Sequence, residues 1–208
     1  MVAAWRRGTS VARVVGVSTL EWIAAALGMA CVAFVVRRSL WNYPFAILSV
    51  TLLGFVLWDA KLYSGALLQG FFVVINLYGW WSWHRSRAAH GEVLIERLTP
   101  VMQVGALSGM IGLTLGWGAI MASQTDAARP YIDAAVAMLS VGAQILQASR
   151  RLESWFVWIV VDLIAIPLYA AQGLYVAAGL YVIYLGMSVW GLLDWRHRLL
   201  RSEGPLAA

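Results

Sequence analysis

The sequence predicts an all-α integral membrane protein with seven transmembrane helices, arranged as three helices, a joining helix and three more in a parallel repeat. Three observations carry this expectation. Of the 208 residues, 62% are hydrophobic and only 12% are charged, about half the charged share of an ordinary soluble domain. The apolar residues fall into seven runs of membrane-crossing length. The first three of those runs match the last three at one constant offset.

Residues 1–19 hold Arg6, Arg7 and Arg13 among valines and alanines. Arg13 interrupts any signal-peptide core, and no small-residue cleavage site follows an apolar run. This stretch reads either as an interfacial amphipathic segment or as a frayed tail. The seven expected spans then cover roughly 20–36, 43–59, 63–83, 101–122, 133–149, 154–171 and 174–195. Polar interruptions separate them: Arg37-Arg38, Asp59-Ala60-Lys61, a long linker from His84 to Thr99, Gln124 to Arg129, Arg150 to Glu153, and a weak break at Gln172-Gly173.

The internal repeat sets the domain organisation. Leu62-Tyr63 recurs as Leu174-Tyr175, Gly79 as Gly191 and Trp83 as Trp195, all in one register. The same ungapped offset pairs Glu21 with Asp133, Leu27 with Leu139, Arg38 with Arg150 and Leu40 with Leu152. The chain therefore divides into a basic segment (1–19), a first three-helix repeat (20–83), a linker and joining helix (84–132), a second repeat (133–197) and a tail (198–208). Four spans separate each helix from its copy, so the two halves cross the membrane in the same direction. Parallel repeats of this kind are a transporter architecture with the site at the repeat interface.

The joining span carries Gly105, Gly109, Gly112 and Gly116 in two GxxxG spacings. These either bring helices close together, within or between subunits, or reflect the ordinary glycine content of a membrane span. Orientation follows from the basic residues. Ten of the 15 Lys and Arg residues fall on the side of the first, third and fifth connections and the C-terminal tail, which makes that side cytoplasmic. The N-terminus is then outside and the C-terminus inside, in the cytoplasmic (inner) membrane. Basic clusters at the ends of apolar runs serve orientation and do not indicate nucleic acid.

Candidate site residues come from polar and aromatic groups within the spans. Trp155, Trp158 and Asp162 follow at spacings of three and four, so they share one helical face. An aspartate midway along a span costs roughly 2.5–3.5 kcal/mol on insertion, so Asp162 should face a cavity or partner rather than lipid. Two indoles beside one anion suit a flat, cationic, water-soluble ligand. On the third span Gln69, Asn76 and Trp83 recur every seven residues with Trp80 between them, and these amides either contact a ligand or bond between helices. The repeat places Tyr181 and Ser188 opposite Gln69 and Asn76, with Tyr184 on the same stripe. Gln144 is an isolated amide on the fifth span. Trp41, Trp58, Trp81, Trp83, Trp117 and Trp195 lie near span ends, where interfacial belts are expected.

Nothing in the chain resembles an enzyme's constellation of groups. His84, His90 and His197 sit in polar connections without metal-ligand spacing, and Walker, HExxH and GxSxG patterns are absent from the sequence. Cys31 has no general-base partner in its span and cannot form an intramolecular disulfide. A transporter needing no cofactor or metal is the expected class, ahead of an intramembrane enzyme or a sensor or assembly subunit.

Asn42-Tyr43-Pro44-Phe45, Lys61-Leu62-Tyr63, Leu68-Gln69, Asn76-Leu77-Tyr78-Gly79-Trp80, Glu153-Ser154-Trp155 through Trp158, and Gly173-Leu174-Tyr175 resemble the PnuC vitamin transporters over about residues 19–197. The resemblance implies a full-length relative of the SWEET sugar transporters, usually a homotrimer. It also implies facilitated diffusion of nicotinamide riboside, thiamine or a related vitamin, trapped inside by a cytosolic kinase. Trp155, Trp158, Gln69, Asn76 and Gln144 match positions that the resemblance makes substrate contacts. Nicotinamide riboside carriers of this family tend to hold a neutral amide where Asp162 stands, which leaves nicotinamide riboside and thiamine both open.

Overall fold

The computed structural model describes residues 19–59, 63–125, 129–173 and 175–203. The basic segment expected before Thr19 lies outside the described residues. Seven helices follow in order: α1 (Thr19–Val36), α2 (Asn42–Asp59), α3 (Tyr63–His90), α4 (Pro100–Gln124), α5 (Pro130–Ala148), α6 (Glu153–Ala171) and α7 (Tyr175–Glu203). Each expected span has its helix. By length and hydropathy α4 to α7 can cross a membrane, and shorter apolar stretches of α1 and α2 cover Ala26–Val36 and Asn42–Phe55. The chain is a multi-pass membrane protein.

Two helices run past their expected ends. Hydropathy drops after Trp83 and Trp195, yet α3 continues to His90 and α7 to Glu203. Arg, Ala and Leu in the added turns are good helix formers, so polarity at these positions does not end the helix. Gly91, in the left-handed region at φ 77°, stops α3 and donates its N–H to the Arg87 carbonyl at 2.9 Å. The rest of the expected linker, Glu92 to Thr99, crosses the end of the bundle as a strap. Thr99 then caps α4 by accepting from the Met102 N–H, with Pro100 in the first turn.

The packing repeats with the sequence. α1 lies on α2 and α7, α3 on α2 and α5, and α6 on α5 and α7, while α4 packs its backbone closely only on α5 among the described helices and reaches α6 through the Gln103–Glu153 hydrogen bond. Exchanging each of the first three helices with the one four places later turns every contact among these six into its counterpart. The α1–α2 and α5–α6 turns share one construction. Arg38 and Arg150 are the described non-glycine residues with positive φ, at 56° and 62°. In each turn the arginine and the residue after it donate back into the helix: Arg38 to Val35 and Ser39 to Phe34, Arg150 to Gln147 and Arg151 to Leu146. This is the Schellman ending, here with arginine where glycine is usual.

One indole of an equivalent pair closes each turn from the other half. Trp195 donates to the Val35 and Val36 carbonyls at 3.3 and 3.2 Å, and Trp83 donates to the Gln147 carbonyl at 3.2 Å. Both are fully buried at 0% exposure, which corrects their expected place in an interfacial belt. The last carbonyls of α1 and α5 keep lone pairs that their turns leave unused, and a buried indole N–H satisfies these more favourably than it would sit among headgroups. Trp41, Trp58, Trp81 and Trp117 are exposed, as a belt requires.

The core lies at the strap end. Val35, Val36, Tyr43, Trp83, Trp155 and Trp195 pack with Val93 and Ile95 of the strap. The glycine stripe of α4 makes no close helix approach within the chain: Gly105, Gly109, Gly112 and Gly116 meet open space. α4 meets α5 through other positions, with the Tyr131 ring against Gly118 and Met110 against Gly142.

Candidate functional site

A cavity of about 560 Å³ lies within the bundle, lined by every helix except α4. That volume is in the range of about 300–1,000 Å³ typical of small-molecule sites. Trp155, Trp158, Asp162, Asn76, Gln69, Gln144, Tyr181, Tyr184 and Ser188 all line it. Trp80 does not. It lies on the outer side of α3, 38% exposed, with its ring parallel to Tyr43 at 6.5 Å.

α6 supplies the densest face. Trp155, Trp158 and Asp162 point to one side because about 100° per residue brings positions three and four apart into line. Asp162 is only 2% exposed, and its Oδ2 accepts from the Ser188 hydroxyl at 3.1 Å. The Trp158 indole donates to Gln147 Oε1 on α5, which fixes the ring plane. Trp155 is more deeply buried, packed edge-on against Trp195 at 5.4 Å, and its indole N–H has no partner among the described residues.

The polar groups of α3 and α5 meet across the cavity. Gln144 donates from Nε2 to Asn76 Oδ1 at 3.1 Å, while Asn76 donates to the Phe72 carbonyl one turn back at 2.7 Å. These two amides bond between helices and also face the cavity. Gln69 has no hydrogen-bond partner among the described residues and keeps its amide free. Towards the end away from the strap, three tyrosines form a ladder: Tyr169 and Tyr181 at 5.2 Å, then Tyr181 and Tyr184 at 5.9 Å edge-on.

Several lining residues escape a reading from sequence. Gln147 orients Trp158, and its only signal in the sequence is lying three residues after Gln144. Asp133 reads as a first-turn acid at the membrane boundary, favourable there because of the helix dipole, yet it too lines the cavity. Tyr43 and Asn42 enter only as family-like residues. Asp133 and Asp162 are the acids of the described lining, which contains no Lys, Arg or His. Cys31 also borders the cavity, with no acid or histidine hydrogen-bonded to it among the described residues. No cluster of His, Cys, Asp or Glu fit to hold a metal occurs among the described residues.

The aromatic core seals the cavity at the strap end. Val35, Tyr43 and Trp155 belong both to the cavity wall and to the core that continues to Val93 and Ile95. Two glycines permit this seal. A Cβ on Gly79 would stand 2.7 Å from the Tyr43 ring, and one on Gly191 2.5 Å from the Trp155 ring. Tyr43 and Trp155 are themselves equivalent positions of the repeat.

The chain is similar to known proteins along most of its length. The profile of a family described as nicotinamide mononucleotide transporter matches residues 18–197. The nicotinamide riboside transporter PnuC of Escherichia coli K12 is 28% identical, with 85% of each chain covered. The riboflavin/roseoflavin transporter RibM of Streptomyces davaonensis is 33% identical, covering 86% of this chain and 85% of RibM. The crystal structure of the vitamin B3 transporter PnuC is similar at a TM-score of 0.70 and 28% identity, covering 88% of this chain and 82% of that one.

Proposed function

Since the chain belongs to the nicotinamide mononucleotide transporter family, that of the PnuC transporters, we propose that it carries nicotinamide riboside into the cell by facilitated diffusion. The observation that carries this choice is the charge of the cavity. Two carboxylates and two indoles line it, and no basic side chain does among the described residues. Nicotinamide riboside bears a fixed positive charge on a flat aromatic ring. Stacked on Trp158 it gains up to about 2 kcal/mol of cation–π attraction once desolvated. Its charge also offsets Asp162, whose burial beside a lone hydroxyl donor is otherwise costly.

In this reading substrate enters at the end bearing Asp133, passes the tyrosine ladder and reaches Trp158, with the free Gln69 amide and the Asn76–Gln144 pair available to the ribose and carboxamide. Release requires the Tyr43–Trp155 seal to part on the strap side, which the excess of basic residues makes cytoplasmic. The two halves move as a parallel repeat of three helices each, joined by α4, and the contacts reproduced between equivalent helices support that organisation. In this reading uptake follows the substrate gradient, and phosphorylation by a cytosolic kinase traps the product. The open glycine stripe of α4 supplies a face for assembly as a homotrimer.

Thiamine is the second reading, because it is also an aromatic cation and Asp162 replaces the amide expected for nicotinamide riboside. Uptake by proteoliposomes separates these readings. Saturable entry of nicotinamide riboside without an ion gradient supports the proposal, whereas entry of thiamine in preference supports the second reading. Accumulation of unmodified substrate driven by an imposed ion gradient rules out facilitated diffusion.

A further inference from the structure

We propose that the groove between α4 and α6 at the strap end is a binding site for an anionic phospholipid. Its headgroup phosphate would sit on Arg97 and Arg196 and one acyl chain would lie along Leu107, Met110 and Phe156. The groove encloses about 530 Å³ and is bounded by the strap, α4, the end of α5, the start of α6 and Arg196 of α7. It exists because the α4 backbone approaches α5 closely and stays clear of α6, which α4 meets at the mouth of the groove through the Gln103–Glu153 hydrogen bond.

Charge and polarity are segregated along it. Arg97 and Arg196 are both exposed, and neither guanidinium has an ion-pair or hydrogen-bond partner among the described residues. Other arginines nearby are engaged: Arg150 and Arg151 with Glu96, and Arg198 with Asp194. Glu153 also borders the groove, but its Oε1 accepts from the Leu98 N–H and from Gln103 Nε2, and its Oε2 is buried. The two arginines are thus the groove's exposed charges, and the walls beyond them are apolar.

The depth fits one leaflet. From Gln103 to Met110 the α4 wall descends about 10 Å at roughly 1.5 Å per residue, against roughly 15 Å for half of the hydrocarbon layer. Arginines at the headgroup level above an apolar groove match a phosphate with its acyl chain below. The glycine stripe of α4 lies on the nearly opposite side of that helix, so a neighbouring subunit packed there leaves the groove free.

The test uses the purified full-length chain with dioleoyl phosphatidylglycerol or dioleoyl phosphatidylcholine as probe, and native mass spectrometry reads the bound lipid. We expect phosphatidylglycerol to be retained over phosphatidylcholine by roughly tenfold, the order expected of two arginines at one headgroup phosphate. The preference should vanish in the Arg97→Gln/Arg196→Gln double variant and persist in Arg87→Gln, an exposed arginine outside the groove. Equal retention of both lipids overturns the proposal, as does a preference that survives the double variant. So does a second copy of the chain filling the groove, seen as disulfide crosslinking between Leu107→Cys chains that neither lipid alters.

Discussion

Arg38 and Arg150 are equivalent positions of the repeat, each in a left-handed backbone conformation, and each guanidinium reaches the strap that crosses the end of the bundle. Arg38 donates to the Val93 carbonyl at 2.9 Å and pairs with Glu92 at 3.0 Å. Arg150 pairs with Glu96 at 2.6 Å and donates to the Ser82 hydroxyl at 2.6 Å. A side chain other than glycine costs roughly 1–2 kcal/mol in this backbone region. The ionic contacts, made on both halves to one segment, offset that cost and hold the strap against the seal.

The two arginines are not equivalent in effect. Arg150 bonds to both the strap and α3, whereas the described partners of Arg38 are on the strap alone. Arg150→Ala should therefore lower the unfolding midpoint in detergent more than Arg38→Ala, with a loss of roughly 1–3 kcal/mol. Equal losses would show that the Arg150 bond to α3 adds nothing, and no loss in either variant would show that the strap contacts do not stabilise the bundle.

The seal makes a prediction about glycine. Gly191→Ala places a methyl group against the Trp155 ring, and Gly79→Ala places one against Tyr43. Each should cost about 1–3 kcal/mol through overpacking and reduce transport. Gly186→Ala, whose Cβ meets nothing within 4 Å, should lower neither stability nor uptake. Thermal unfolding of the three variants, followed by uptake assays, checks this.

Much of this arrangement is legible in the sequence, for a definite reason. In a membrane, helix position follows hydropathy and helix face follows the helical period, so the seven spans and most of the polar cavity lining can be read from spacing. The same logic misplaces Trp83 and Trp195, because hydropathy registers an indole near a span end but not the carbonyl it caps. The strap has no periodicity to find, since its order comes from Arg38 and Arg150, both remote from it in the chain. Trp80 shares a stripe with Asn76, yet its side chain turns outward against Tyr43. Asp133 and Gln147 need the neighbouring helices before they can be seen to face the cavity.

Trp158 should be the main aromatic contact. Trp158→Ala is expected to weaken nicotinamide riboside binding at least about tenfold, given up to ~2 kcal/mol of cation–π attraction against about 1.4 kcal/mol per decade. Gln147→Leu, which removes the acceptor orienting the indole, should weaken binding in the same direction but less. Calorimetric titration of folded variants measures both. Unchanged affinity in a well-folded Trp158→Ala would take the residue out of the site.

Topology gives a separate check. A reporter active only in the cytoplasm and fused after Ala208 should work, and one active only outside should not. The reverse pattern would place the strap and its seal on the outer face, and the direction of release with them.

The most direct test of charge recognition is the affinity of wild type and Asp162→Asn for nicotinamide riboside and for riboflavin, a neutral vitamin, measured by the same titration. Wild type should bind nicotinamide riboside more tightly than riboflavin. Asp162→Asn should weaken the cation by about tenfold or more while moving riboflavin less than about twofold, since only the cation loses a buried charge partner. Tighter binding of riboflavin by wild type, or an unchanged affinity for nicotinamide riboside in Asp162→Asn, would contradict recognition by this carboxylate.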